Sequence, residues 1–181
     1  MLSINLSEYE LFDYATNRFT SFKPLTIELE HSLVSVYKWE AIWGIPFLHL
    51  KELTNEHYMS YIECMVLNPP KDLTYLSGLT AEHMQMIQDY IAHPMTATTT
   101  SSYGETKQQH KNEIITAEVI YSQMIANNVP FECQHWHLNQ LTTLIKTCNV
   151  RNNPGKLSNQ EASQRNASIN AQRRAKYNSR G

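Results

Sequence analysis

The shortages in this chain are the first guide to it. Glycine is scarce, five in 181 residues beside seven prolines, which excludes collagen-like repetition. Cys64, Cys133 and Cys148 are the only cysteines. Their odd number and wide spacing argue against a disulfide framework or a paired zinc knuckle, and reduced thiols in a cytosol are the simplest account. No run approaches the roughly 18 apolar residues that suggest a membrane span. The opening stretch MLSINLSEYELF lacks a basic region leading into an apolar one and a small-residue cleavage site, so no secretory leader is expected. Walker loop, G-x-G-x-x-G after a strand, H-E-x-x-H, calcium loop and G-x-S-x-G elbow are all missing. Neither an enzyme nor a bound cofactor is expected.

What is present is a composition 41% hydrophobic, enough for a core, at a length that fits one domain or one domain with an appendage. The overall net charge of -2 conceals a division. Residues 1–150 hold 8 Lys/Arg against 16 Asp/Glu, a net of -8, whereas residues 151–181 hold 7 against 1, a net of +6. An acidic body with a basic tail points to a partner: nucleic acid, an acidic protein surface, or the body of another copy.

Hydrophobic periodicity divides the chain further. Leu2, Ile4 and Leu6, then Leu25, Ile27 and Leu29, alternate with polar neighbours and predict an N-terminal strand pair. Asn17-Arg18 and Lys23-Pro24 read as turns. From Ser32 the period becomes helical, with Leu33, Val36, Trp39 and Trp43 on one face and Gly44-Ile45-Pro46 as the stop. Thr54 and Thr80 read as N-caps of helices reaching Met65 and His93. Residues 94–111, rich in Ser and Thr, read as a loop. Helices follow over 112–127 and from Leu138 to about Cys148, expected to form an antiparallel hairpin. Asn152-Asn153-Pro154-Gly155 is the best boundary, and Ser158-Asn159-Gln160-Glu161 is a capping-box pattern opening a polar helix over 158–177. The expected fold is therefore mainly α (α+β): a small N-terminal β-hairpin packed on a bundle of about five helices, with a polar basic C-terminal helix. The division is 1–151 for the acidic domain and 152–181 for the appendage.

Two clusters invite a chemical reading. Cys133-Gln134-His135-Trp136-His137 offers metal-ligating types, but a spacing of two puts side chains on one face of a strand whereas helical ligands stand three or four apart, and no second Cys/His group follows. Packing or capping is the expectation, with no metal site. A Cys133–His135 nucleophile pair has no spacing argument behind it. Glu28 and Glu30, followed by His31, could pair carboxylates, but the exposed face of a strand gives the same alternation. The seven tail cations would attract phosphate in a salt-dependent way. Yet only Tyr177 could stack on a base, and the body at -8 would repel the same ligand, so a nucleic-acid-binding protein acting through the basic tail is the less favoured alternative and nucleic acid is not the expected partner.

Several stretches carry a resemblance: HSLVSVYKWEAIWGIPFL at 31–48, YIECM at 61–65, MTAT at 95–98, EIITAEVIYSQMIANNVPFECQHWHLNQLTTLIKTCNV at 113–150 and SNQEASQRNASINAQRRAKYNSRG at 158–181. Together, in order and over most of the chain, they resemble a group of small tailed-bacteriophage proteins from the virion morphogenesis region, described as tail assembly chaperones or as structural proteins. The resemblance implies a non-enzymatic protein of the host cytoplasm. Such a protein binds the phage tape-measure protein, assists tail-tube polymerisation and then leaves the particle. A connector, tail-completion or minor tail protein retained in the virion is the other role it implies. It supplies no catalytic, cofactor or metal residues. Composition then selects the partner-binding candidates: the aromatic segment Trp39, Trp43 and Phe47, the second aromatic site Trp136, and the tail cations Arg165, Arg173, Arg174 and Lys176. Tape-measure and tail-tube proteins are the expected partners, a homo-oligomer stays open, and no membrane is expected.

Overall fold

A computed structural model describes residues 1–14, 17–50, 52–70, 73–98, 114–152 and 159–178. Four strands open the chain: β1 (Leu2–Leu6), β2 (Tyr9–Asp13), β3 (Arg18–Phe22) and β4 (Leu25–Leu29). β1 pairs antiparallel with β4, and β2 with β3. Leu2 faces Leu29 at one end and Tyr9 faces Phe22 beyond the break. The numbers of paired residues sum to 31 in both halves, so the four strands are one long two-stranded ribbon in a single register. The ladder is interrupted opposite Lys23-Pro24, where proline has no N–H to donate. That dipeptide is therefore a gap in the ladder and not the turn its sequence suggests. Asn17 does stand at the ribbon's bend, with φ of 53°, a left-handed conformation that asparagine tolerates.

The basal half of the ribbon has one face in the core: Ile4, Leu6, Ile27 and Leu29 are buried. Against this face packs a bundle of five helices, α1 (Leu33–Trp43), α2 (Asn55–Met65), α3 (Ala81–Ala92), α4 (Ala117–Ala126) and α5 (Leu138–Asn152), with α6 (Asn159–Tyr177) as the polar sixth. Short 3-10 turns at Phe47–His49, Leu73–Gly78 and Phe131–His135 join them. The fold is mainly α with a small N-terminal sheet. Local chemistry sets the helix ends. Ser32, Thr54 and Thr80 accept hydrogen bonds from the N–H groups of Ser35, His57 and His83, satisfying donors with no partner inside the helix. Gly44 closes α1 at φ 67°, a conformation glycine adopts without Cβ strain.

Two expectations are corrected. The helix expected over 112–127 begins at Ala117, and Ile114 and Ile115 precede it with exposed side chains. The cause is tertiary: Thr116 makes no side-chain cap bond, and the Ala117 N–H donates instead to the Glu40 carboxylate of α1 at 2.7 Å. α4 and α5 do not form an antiparallel hairpin. Asn127, just past α4, donates to Asn149 and accepts from Asn152, both in the last turns of α5, so the two C-terminal ends meet. Residues 127–137 carry the chain back along α4, and on the way Gln134 accepts from the Tyr121 hydroxyl. The Ser/Thr-rich stretch from 99 to 111, the Asn153-Pro154-Gly155 turn and the Ser158 cap lie outside the described residues. α5 itself extends to Asn152, past the expected end at Cys148.

Candidate interaction surface and buried polar centre

The aromatic segment of α1 is a packing device. Trp39 is 0% exposed, its indole N–H donating to the His57 carbonyl of α2 at 3.0 Å. This corrects the expectation that Trp39 meets a partner: the ring has no accessible surface. Trp43 is half-buried, one turn further on. It donates to Ser60 Oγ at 3.0 Å and sits edge-on to the His57 ring at 4.3 Å. Phe47, also half-buried, stacks on Tyr61 with centroids 4.1 Å apart. The three rings join α1 to α2, so only the outer edges of Trp43 and Phe47 reach solvent.

Trp136 differs. It follows the 3-10 turn Phe131–His135, is 41% exposed, and lines a shallow groove of about 200 Å³ with Thr96, Thr98, Gln140, Thr143 and Leu144. The tail reaches the same groove. The Lys176 ammonium donates to the carbonyls of Thr96 at 3.0 Å and Ala97 at 3.4 Å. Two of the candidate residues, far apart in sequence, thus converge on one segment. Arg173 and Arg174 are exposed on the same helix. Arg165 belongs to α6 as well, its side chain outside the described residues. α6 is helical in the isolated chain and exposed from Asn170 to its end at Tyr177, with Ile169 half-buried.

A second grouping, with no signal in the sequence spacing, lies inside. Glu30, His31 and His137 are all buried. Glu30 accepts from the Tyr90 hydroxyl at 2.6 Å and lies 2.7 Å from the Met1 amino group. His31 Nδ1 is bonded to the Tyr61 hydroxyl, and its ring meets that of His137 at 4.9 Å. His137 Nε2–H donates to the Tyr90 carbonyl at 3.0 Å, while Nδ1 accepts from Asn139 N–H at 3.3 Å. The neutral ring therefore fills both bonds and heads α5 as a cap. Burial, and then the neighbouring His137, push His31 down to about 3. Burial also lowers His137, opposed by its bond to the Tyr90 carbonyl. Desolvation raises Tyr61 and Tyr90. Each group here is held in its neutral form or bonded to a neighbour, which suits a structural knot between the ribbon, α2, α3 and α5.

The remaining chemical candidates fall out similarly. Cys133 is buried and its thiol is pushed up by desolvation, the opposite of an activated nucleophile. His135 is exposed. Burial likewise raises Cys64, to about 11. Among the described residues no group of three or more His, Cys, Asp or Glu is placed to hold a metal ion, and no helix is long and apolar enough to cross a membrane. Glu28 is half-buried and Glu30 buried, so the pair is not the exposed strand face that alternation suggests.

The chain matches no known family model, no curated protein and no solved structure.

Proposed function

We propose that the chain is a non-enzymatic tail assembly chaperone of a tailed bacteriophage, acting in the host cytoplasm by binding the tape-measure protein and assisting tail-tube polymerisation. The observation that carries the binding part is the convergence of the basic α6 and Trp136 on the segment 96–98. An exposed helix with Arg173, Arg174 and Lys176 in its last turns lies beside a groove floored by an exposed indole. Cations steer an acidic partner, and an amphipathic aromatic supplies contact area once it arrives. The specific phage role comes from the sequence resemblance over residues 31–48, 61–65, 95–98, 113–150 and 158–181.

The test is recovery of the tape-measure and tail-tube proteins from infected cells by the tagged chain, with R173E/R174E/K176E and Trp136→Ala alongside the wild type. Capture of either protein, lost with the tail variant, supports the reading. Failure to capture both, with each expressed and soluble, removes it. Mass spectrometry of purified virions separates a departing chaperone from a retained tail component: stoichiometric chain in the particle would assign the second role.

A further inference from the structure

The polar helix α6 rests on the body through very little. From Asn170 to Tyr177 every residue is exposed, and Ser168 and Ile169 just before them are half-buried. Ile169 and Lys176 stand seven positions apart and share one face of the helix, whereas Arg174 lies about 140° round from Ile169. On the shared face the Lys176 ammonium donates to the carbonyls of Thr96 and Ala97. Among the described residues neither Arg173 nor Arg174 makes an ion pair or a side-chain hydrogen bond, and the one ion pair is Met1 with Glu30. There the acidic body holds the basic helix through backbone carbonyls and not through its carboxylates.

The carbonyl pair is a built seat. Asn139, at the head of α5, donates through Nδ2 to the carbonyls of Ile91 at 3.1 Å and His93 at 2.9 Å, which fixes the end of α3. His93 Nδ1 then accepts from Met95 N–H at 3.0 Å, and Met95 stands at φ 47°, a left-handed conformation that is costly for a residue with a side chain. Thr98 N–H bonds back to Thr96 Oγ1 at 3.1 Å. With these neighbours committed, the carbonyls of Thr96 and Ala97 are left to a donor from outside the segment. Among the described residues Lys176 supplies it. Thr96 also lines the groove floored by Trp136, so the seat is one end of that groove.

We infer that α6 is a latch, closed on segment 96–98 by Lys176, and that this contact within the chain holds one end of the groove until a partner displaces it. The inference rests on the reading of α6 and the groove as the binding surface. Two hydrogen bonds of ordinary net worth favour closure by about thirtyfold, and ordering α6 against the body takes part of that back. The open form is then a minor state, about 3–10% of the population, from which a partner can select. Arg173 and Arg174, uncommitted in the closed form, are available to an acidic partner before the latch opens.

NMR relaxation of backbone amides in the full chain tests the latch with no partner present. In the wild type, Ala171 and Ala175 should tumble with the body, with order parameters of about 0.8. Lys176→Ala, which keeps the helix propensity, should raise the open-to-closed ratio by about tenfold or more. Those order parameters should then drop below about 0.6. The amides of Thr96 and Thr98, far away in sequence, should shift while the rest of the body stays unchanged. Arg174→Ala, matched in charge, should leave the latch closed. In the capture assay Lys176→Ala should recover about fivefold more tape-measure protein than Arg174→Ala, because the competent fraction is larger. An α6 as mobile in the wild type as in Lys176→Ala overturns the inference, and so does equal loosening by Arg174→Ala. Opening by Lys176→Ala with no gain in capture over Arg174→Ala also overturns it, since the contact would then bar nothing. Capture by no variant removes the partner reading instead, and the relaxation data still decide the latch.

Discussion

Lowering the pH from 7 to 5 addresses the buried histidines directly. His31 is held at about 3 in the folded chain, against about 6.5 for an unperturbed imidazole. Above pH 6.5 the ring is neutral in both states and its pKa contributes nothing to the pH dependence. Below 6.5 the unfolded chain takes up a proton that the folded chain refuses, so stability falls with pH until about 3, where the folded ring also protonates. At pH 5 the deficit from His31 alone is about 2 kcal/mol, and at pH 4 about 3 kcal/mol. His137 adds a loss of the same sign, since its pKa is lowered too. For a chain of this size about 2 kcal/mol corresponds to a melting temperature lower by about 4–8 °C. The assay is urea unfolding at pH 7 and 5 for the wild type and His31→Asn, whose amide cannot titrate. The wild type should lose more than the variant over this interval, by about 2 kcal/mol. An NMR titration should find the His31 ring still neutral at pH 5. Parallel losses in the two proteins, or an imidazolium at His31 near pH 6, would refute the reasoning.

Three further outcomes follow from packing. Trp39→Ala should cost about 3–5 kcal/mol, as for large aromatics removed from cores, whereas Trp136→Ala should stay within about 1 kcal/mol; equal losses in urea unfolding would contradict their different burial. Glu40 accepts from Phe47 N–H at 2.9 Å and Ala117 N–H at 2.7 Å, so Glu40→Leu, which strands both donors, should cost at least about 2 kcal/mol and raise amide exchange at the start of α4. Gly78→Ala drives a methyl into the Tyr9 ring and should destabilise by about 1–3 kcal/mol, with the change in Tyr9 and Phe22 ring shifts reporting a displaced ribbon.

The elements legible in the sequence are those whose ends are set by neighbours in the chain. Thr54, Thr80 and Gly44 act on N–H and C=O groups within four residues, so capping chemistry places α1, α2 and α3 to within about a residue. Long-range chemistry hides the rest. Lys23-Pro24 reads as a turn because a missing N–H marks turns and ladder gaps alike; only the shared register distinguishes them. The start of α4 is decided by Glu40, 77 residues earlier, which no local pattern contains. The relative direction of α4 and α5 depends on the path of residues 127–137. Of the candidate site, the exposed cations of α6 and the exposure of Trp136 agree with a polar tail and a helix-start aromatic. The burial of Trp39 follows the core face that its spacing shares with Val36, so its aromatic size was no guide to exposure. Glu30, His31, Tyr61, Tyr90 and His137 span more than 100 positions in the chain and meet only through tertiary packing.

The single register of the ribbon imposes a parity rule on length changes. Because Leu2 with Leu29 and Tyr9 with Phe22 obey one sum across the Pro24 gap, adding one residue within β1 would move every side chain beyond it to the opposite face. The basal leucines and the aromatic tip would then lie on opposite sides of the ribbon. A matching addition in β4 restores the cross-strand partners without restoring that shared face. Only changes of even length, balanced on both strands, lengthen the ribbon while keeping Phe12 and Tyr14 on the same face as Ile4 and Leu6. The reach of the ribbon can therefore grow or shrink only in steps of two residues per strand, about 7 Å at a time.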